Sequence, residues 1–133
     1  MRISRSTAHA LLAVGYIARK HGDGLVPAEE ISPKYDIPLE YLLKILQQLV
    51  RANVLRSKRG PRGGFSLAKA TNKIALLEVI EAVDGPLTGE LNLPKRTKND
   101  KYGARVQQTY SRALAQAKHT LQKTKLSSLL GGK

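Results

Sequence analysis

Between Lys44 and Lys73 the chain carries eight basic residues, Lys44, Arg51, Arg56, Lys58, Arg59, Arg62, Lys69 and Lys73, and no acidic one. Lysine and arginine in such a run neutralise phosphates, and arginine does so with two parallel hydrogen bonds. Within the run stands Arg59-Gly60-Pro61-Arg62-Gly63-Gly64, a slim Gly-Pro connection that carries two guanidinium groups. One of them can enter a minor groove while the other pairs with phosphate. Upstream, Glu40, Tyr41, Lys44, Gln47, Gln48 and Arg51 share one side of a leucine-rich stretch opened by Pro38. Lysine donates to guanine and glutamine pairs bidentately with adenine, so Glu40, Tyr41, Lys44 and Gln47 have the chemistry to read base edges. Arg2, Ser6 and Thr7 lie near the first helix's start, where outward amides suit a phosphate.

Other chemistries lack their residues. There is no nucleophile elbow, no His-Glu-x-x-His and no paired-carboxylate site, so no enzyme is expected. The glycine-rich stretch lacks the Gly-Lys-Ser/Thr ending and following helix of a phosphate-binding loop, and a plain hairpin turn is its alternative reading. His9, His21 and His119 are far apart without carboxylates at ligand spacing, so no metal site is expected. With no cysteine there is no disulfide framework, no thiolate-bound zinc and no iron-sulfur ligation by thiolates. No cofactor is assigned, and the default compartment is the cytoplasm.

The whole chain agrees with the local chemistry. It has 133 residues, 23 Lys plus Arg against 10 Asp plus Glu, and a net charge of +13. That length fits one domain with an appended arm, and 41% apolar residues supply a core. The charge attracts nucleic acid or an anionic membrane. The longest apolar run, Ala10 to Ala18, is too short to span a bilayer, and it runs into Arg19 and Lys20 at helical spacing without a cleavage site. A membrane-surface role would need Trp, Phe or Leu beside the basic face, and no membrane partner is expected.

Apolar spacing predicts a first helix over Ser4 to about Lys20, a break at His21-Gly22-Asp23-Gly24, and a short second helix from Ala28 that stops or restarts at Pro33. A third helix runs from Leu39 to Ala52 with Leu39, Leu42, Leu43, Leu46, Leu49 and Val50 inward. Val54 to Lys58 and Phe65 to Ala68 form a β-hairpin. A fourth helix spans Ala75 to Val83. Leu87 to Gly103 reads as a basic loop with Lys95, Arg96, Lys98 and Lys101, and a long helix follows from about Ala104 to Lys125. Its Val106, Tyr110, Ala113, Leu114, Ala117 and Leu121 form one apolar stripe that a partner subunit would cover, with the Leu126 to Leu130 tail adding to that cover. The expected architecture is therefore mainly α with a small β-hairpin wing. Residues 1–86 form a winged helix-turn-helix domain, 87–103 a basic loop, and 104–133 a dimerisation helix and tail.

The first 86 residues resemble the bacterial winged-helix regulators of the BadM, iron-sulfur-cluster-regulator and Rrf-two type. The resemblance rests on Met1-Arg2-Ile3-Ser4, Val26-Pro27, Glu30-Ile31, Tyr41-Leu42, the wing Arg59-Gly60-Pro61-Arg62-Gly63-Gly64-Phe65, and Val79-Ile80-Glu81-Ala82-Val83-Asp84-Gly85-Pro86. It implies a homodimeric transcription regulator, expected to be a repressor, that binds double-stranded DNA at a dyad-symmetric operator through the third helix and wing. With that docking mode, the chemistry of the side chains assigns the expected DNA contacts to Arg2, Ser6, Pro38, Glu40, Tyr41, Lys44, Gln47, Arg51, Arg59, Gly60, Pro61, Arg62 and Gly63. Many members bind a cluster through three cysteines. This chain has none, and any effector or protein partner is unidentified. It also has Leu43-Lys44 where members often carry Glu-Gln, so that glutamate's base contact does not carry over. Tyr41 either packs on the second helix or touches DNA, and both readings stand. A sequence-independent nucleic-acid binder and a protein-interaction module are the competing functions. The aromatic residues do not group into the stacking platform of a single-strand RNA binder.

Overall fold

A computed structural model describes residues 2–20, 24–93 and 100–131. The break at His21-Gly22-Asp23, the basic residues Lys95, Arg96 and Lys98, Met1 and the last two residues lie outside that description. Helix α1 (Arg5–Arg19) starts at Ser4, whose Oγ accepts the Thr7 amide at 3.1 Å. Ser4 also donates its hydroxyl to Asp84 at 2.6 Å, which ties the beginning of α1 to a carboxylate 80 positions downstream. Small residues on the inner face, Ala10 and Ala13, let the following helices approach closely.

Helix α2 (Ala28–Lys34) runs through Pro33, where a stop or a restart was expected. A proline costs an internal helix bond, but only one residue of helix follows it. The bonds Tyr35 N–H to Ile31 O at 3.3 Å and Ile37 N–H to Ser32 O at 2.9 Å close the turn around the missing donor. Ser32 adds a side-chain bond to Ile37 O at 2.5 Å. Asp36, at φ 55°, then reverses the chain into α3 (Leu39–Arg51).

The hairpin pairs β1 (Leu55–Lys58) with β2 (Gly64–Leu67) antiparallel, Leu55 opposite Leu67 and Lys58 opposite Gly64. Val26 joins as a one-residue third strand, exchanging two backbone bonds of 2.8 Å with Phe65. The wing glycines make this possible. A Cβ on Gly64 would sit 2.7 Å from the Val26 carbonyl, and one on Gly63 would sit 2.1 Å from the Lys58 oxygen. A single turn of 3-10 helix at Thr71–Lys73 leads into α4 (Leu76–Asp84).

Helix α5 (Lys101–Lys123) begins three residues before the expected start at Ala104. Asp100 accepts the Tyr102 amide at 2.9 Å and so caps the helix. The glycine at 103, read as a loop residue, is buried within the first turn. After Lys123 the chain folds back as α6 (Leu126–Leu129). Two backbone bonds, Leu76 N–H to Thr124 O at 2.9 Å and Leu126 N–H to Ile74 O at 3.0 Å, stitch it to the entrance of α4. Leu126, only 5% exposed, joins the hydrophobic core next to Ile74, whose carbonyl accepts its amide. It is covered by its own chain, unlike the expectation for the tail.

The order of elements is that of a winged helix-turn-helix carrying a long C-terminal helix. Among the described residues no helix is long and apolar enough to cross a membrane.

Candidate nucleic-acid interface

Helix α3 positions the reading surface by burying its opposite side. Leu42, Ile45, Leu46 and Leu49 are at most 2% exposed, a stripe at spacings of three and four. This sets the helix's rotation and turns Glu40, Lys44, Gln47 and Arg51 outward. The inward set differs from expectation at two places. Leu43, read as core, is 36% exposed on the outer ridge, and Ile45, which was left out, is buried. The pairs Leu42-Leu43 and Ile45-Leu46 fit two helical phases, and packing on α1 and α4 chooses between them. Pro38 occupies the position before the first turn, with ψ 134°, and is exposed.

Among the described residues, no hydrogen bond or ion pair within the chain engages the side chains of Arg2, Glu40, Lys44, Gln47, Arg51, Arg59 or Arg62. Their donors and acceptors are open to water or to a ligand. Lys69 is different. It lies 2.7 Å from Glu78 and leaves the basic run for a contact that anchors the hairpin to α4. Burial of Glu78 works against its charge. The Lys69 ammonium and the Ala75 amide overcome this and hold the carboxyl below its ordinary value.

Tyr41 packs on α1, not on α2. Its hydroxyl and that of Ser6 are 2.5 Å apart, and its ring stands edge-on to His9 with centroids 5.6 Å apart. Tyr41 and Ser6 thus brace α3 against α1 while staying half-buried beside Lys44, Gln47 and Arg51. Thr7 cannot meet a phosphate as expected, because it is fully buried under the Ser4–Asp84 contact. Burial of Asp84 also opposes its charge, but the Ser4 hydroxyl and amide and the Thr7 hydroxyl keep its pKa lowered.

The wing stands next to α3. Arg59, Gly60, Pro61 and Arg62 are exposed, Gly63 is half-buried, and Gly60 takes φ 115° in a turn closed by Gly63 N–H to Gly60 O at 2.9 Å. One recess is shared by Leu43 of α3, Lys58, Arg59 and Gly60 of the wing, and Pro27 and Glu29 of α2. The two elements therefore present a common surface. The Val26 bridge and the exposure of Leu43 escaped sequence reading. A one-residue pairing has no period, and a leucine in a leucine-rich helix looks like core.

The stripe on α5 is divided. Leu114, 7% exposed, lines a recess with the chain's own 87–90 segment, which Gln107, Ser111 and Lys118 hold by bonds to the carbonyls of Gly89 and Leu87. Ala117 and Leu121 are half-buried. On another side Leu91, Tyr102, Val106, Tyr110 and Ala113 line an open groove of about 660 Å³.

Thiolate ligation of a cluster does not fit this chain, which has no cysteine. Among the described residues no three His, Asp or Glu side chains gather at metal-ligand range. His9 lies against Tyr41, His119 is exposed on α5, and His21 is outside the described residues.

A helix held over a core with its polar ridge outward, flanked by a cationic hairpin, defines a winged-helix DNA-binding protein. Residues 3–132 match the Rrf2 family, described as iron-dependent transcriptional regulators, and the chain belongs to that family. It is 36% identical over 131 residues, 98% of its length, to a protein of Rhodopseudomonas palustris named as the HTH-type transcriptional regulator BadM, of which the match covers 81%. It is 36% identical over 86 residues to the regulator IscR of Cereibacter sphaeroides, covering 63% of this chain and 56% of that one. Among solved structures, CymR, the global cysteine regulator of B. subtilis, superposes with a TM-score of 0.76 at 21% identity, over 100% of this chain and 98% of that one. IscR of T. potens has the same TM-score at 19% identity, over 98% and 86%. The last two likenesses concern the fold. The chain spans little more than half the length of some relatives, and family members are transcription regulators, not enzymes.

Proposed function

We propose that this cytoplasmic regulator binds a dyad-symmetric operator as a homodimer and represses by occupying it. The observation that carries the reading is the common surface of α3 and the wing, on which Lys44, Arg51, Arg59 and Arg62 have no hydrogen-bond or ion-pair partner among the described residues. Cations of one sign on a shared surface repel, and a phosphate backbone relieves that repulsion while releasing counterions. In this reading Lys44, Gln47 and Glu40 meet base edges. Arg59 and Arg62 meet the minor groove and backbone, with Gly60, Pro61 and Gly63 keeping the wing thin. Arg2 and Arg51 add phosphate contacts, Pro38 fixes the angle at which α3 enters, and Ser6 and Tyr41 hold it there. The groove on α5 supplies the dimer contact through Val106, Tyr110 and Ala113, with Ala117 and Leu121 continuing it, while Leu114 supports the helix from behind. Two third helices would then lie about 34 Å apart, one turn of duplex.

The test is selection of random and genomic duplexes by the purified protein at about 150 mM salt, followed by a salt titration of the winners. A recovered palindrome supports the reading. Enrichment without any motif favours a sequence-independent binder, and no enrichment overturns DNA recognition by this surface.

A further inference from the structure

From the outer ridge of α3 we infer that Leu43 is a specificity residue that reads the 5-methyl group of a thymine. This rests on the docking of α3 and the wing just described. Residues 40, 43, 44, 47 and 51 share one side of the helix, and Leu43 is the only apolar side chain on that ridge. It is 36% exposed, although the buried stripe passes immediately beside it at Leu42 and Ile45.

Its position argues for a ligand more than its exposure does. Leu43 borders both recesses that flank α3. On one side are Ser6, Tyr41, Lys44, Gln47 and Arg51, and on the other Arg59, Gly60 and Gly63 of the wing. Any duplex edge that meets Lys44 and the wing together must pass over it. A leucine has no donor or acceptor, so it contributes nothing to a guanine or cytosine edge and would desolvate those polar atoms without replacing their bonds. The thymine methyl is the one apolar group of the major-groove edge. Covering it removes apolar surface from water on both partners, while Lys44 next to it remains free to donate to a neighbouring purine. Leu43 therefore both selects thymine and disfavours the other bases.

The experiment removes the methyl from the DNA. In the duplex recovered by selection, each thymine is replaced singly by deoxyuridine, which keeps every hydrogen bond, and affinities are measured for the natural protein and for Leu43→Ala. At one thymine position per half-site, loss of the methyl should weaken the natural protein about fourfold, the worth of one buried carbon. The same replacement should leave Leu43→Ala unchanged. If a duplex is recovered but no thymine separates the two proteins, the assignment of Leu43 is wrong while the interface stands. If no duplex is enriched, the interface reading fails and the assignment falls with it. A natural protein indifferent to every thymine methyl overturns the assignment on its own, whatever the variant's behaviour.

Discussion

Helices α3 and α5 are built alike on one side and differently on the other. Each buries apolar side chains against its own chain, a stripe of Leu42, Ile45, Leu46 and Leu49 in α3 but Leu114 alone of the apolar set in α5. The open side of α3 is charged and amide-bearing, with one leucine. That of α5 is apolar, formed by Tyr102, Val106, Tyr110 and Ala113. A polar face is stable in water and can meet a ligand intermittently, whereas an apolar face gains from constant cover. The expected signatures therefore differ. Contacts of α3 should respond to salt, and contacts of α5 to protein concentration.

The largest effect that would test this contrast is Tyr110→Asp. A charge in the α5 groove should give a folded monomer by light scattering, and affinity for a two-site duplex should fall by about 10²- to 10⁴-fold as bivalent binding is lost. An unchanged dimer would remove α5's open face from the assembly. Next is Leu46→Ala, on the hidden side of α3. It should cost about 2 to 5 kcal/mol in denaturant unfolding and leave the salt slope of DNA binding as it was. On the open side the order reverses. Lys44→Ala should cost about 1 to 3 kcal/mol at defined bases without moving the unfolding midpoint, and Arg59→Ala should weaken all sequences and lower the salt slope by about one.

The smallest effect concerns the seam between α1 and α4. Ser4→Ala removes the α1 cap and a donor to Asp84, and should cost about 1 kcal/mol near pH 7. Asp84 has a lowered pKa in the folded chain, so its contribution is complete above the ordinary aspartate range. As pH falls below about 4 the unfolded chain takes up the proton first, and the contribution fades. The difference between the natural protein and Ser4→Ala should shrink over that interval. A difference that stays constant down to pH 3 would mean the cap alone, and not the carboxylate, matters.

Much of the fold could be read from periodicity, because α1, α3 and α4 each bury an apolar stripe and α5 carries one at the same spacing, of which only Leu114 is buried. Pattern failed where one contact decides. Pro33 reads as a stop or restart until the Ser32 and Ile37 bonds around it are seen. Leu43 and Ile45 exchange roles with a small rotation that only the packed core defines. The candidate interface was legible to the extent that it is charge. Lys44, Arg51, Arg59 and Arg62 stand out in the sequence and have no side-chain partner among the described residues, whereas Lys69 looks the same there and is taken by Glu78. The placement of Tyr41 against Ser6 and His9 joins residues more than thirty positions apart and leaves no local signal.

The return of Leu126 to the core has a consequence for how the protein is made. Ile74 and the centre of the winged domain receive one of their packing partners from 52 positions downstream. During synthesis, all three early helices and the hairpin leave the ribosome before that side chain exists. A contact so distant closes a long loop and forms late. The nascent domain can collapse early, but its core is completed only after the whole of α5 has followed it out of the tunnel.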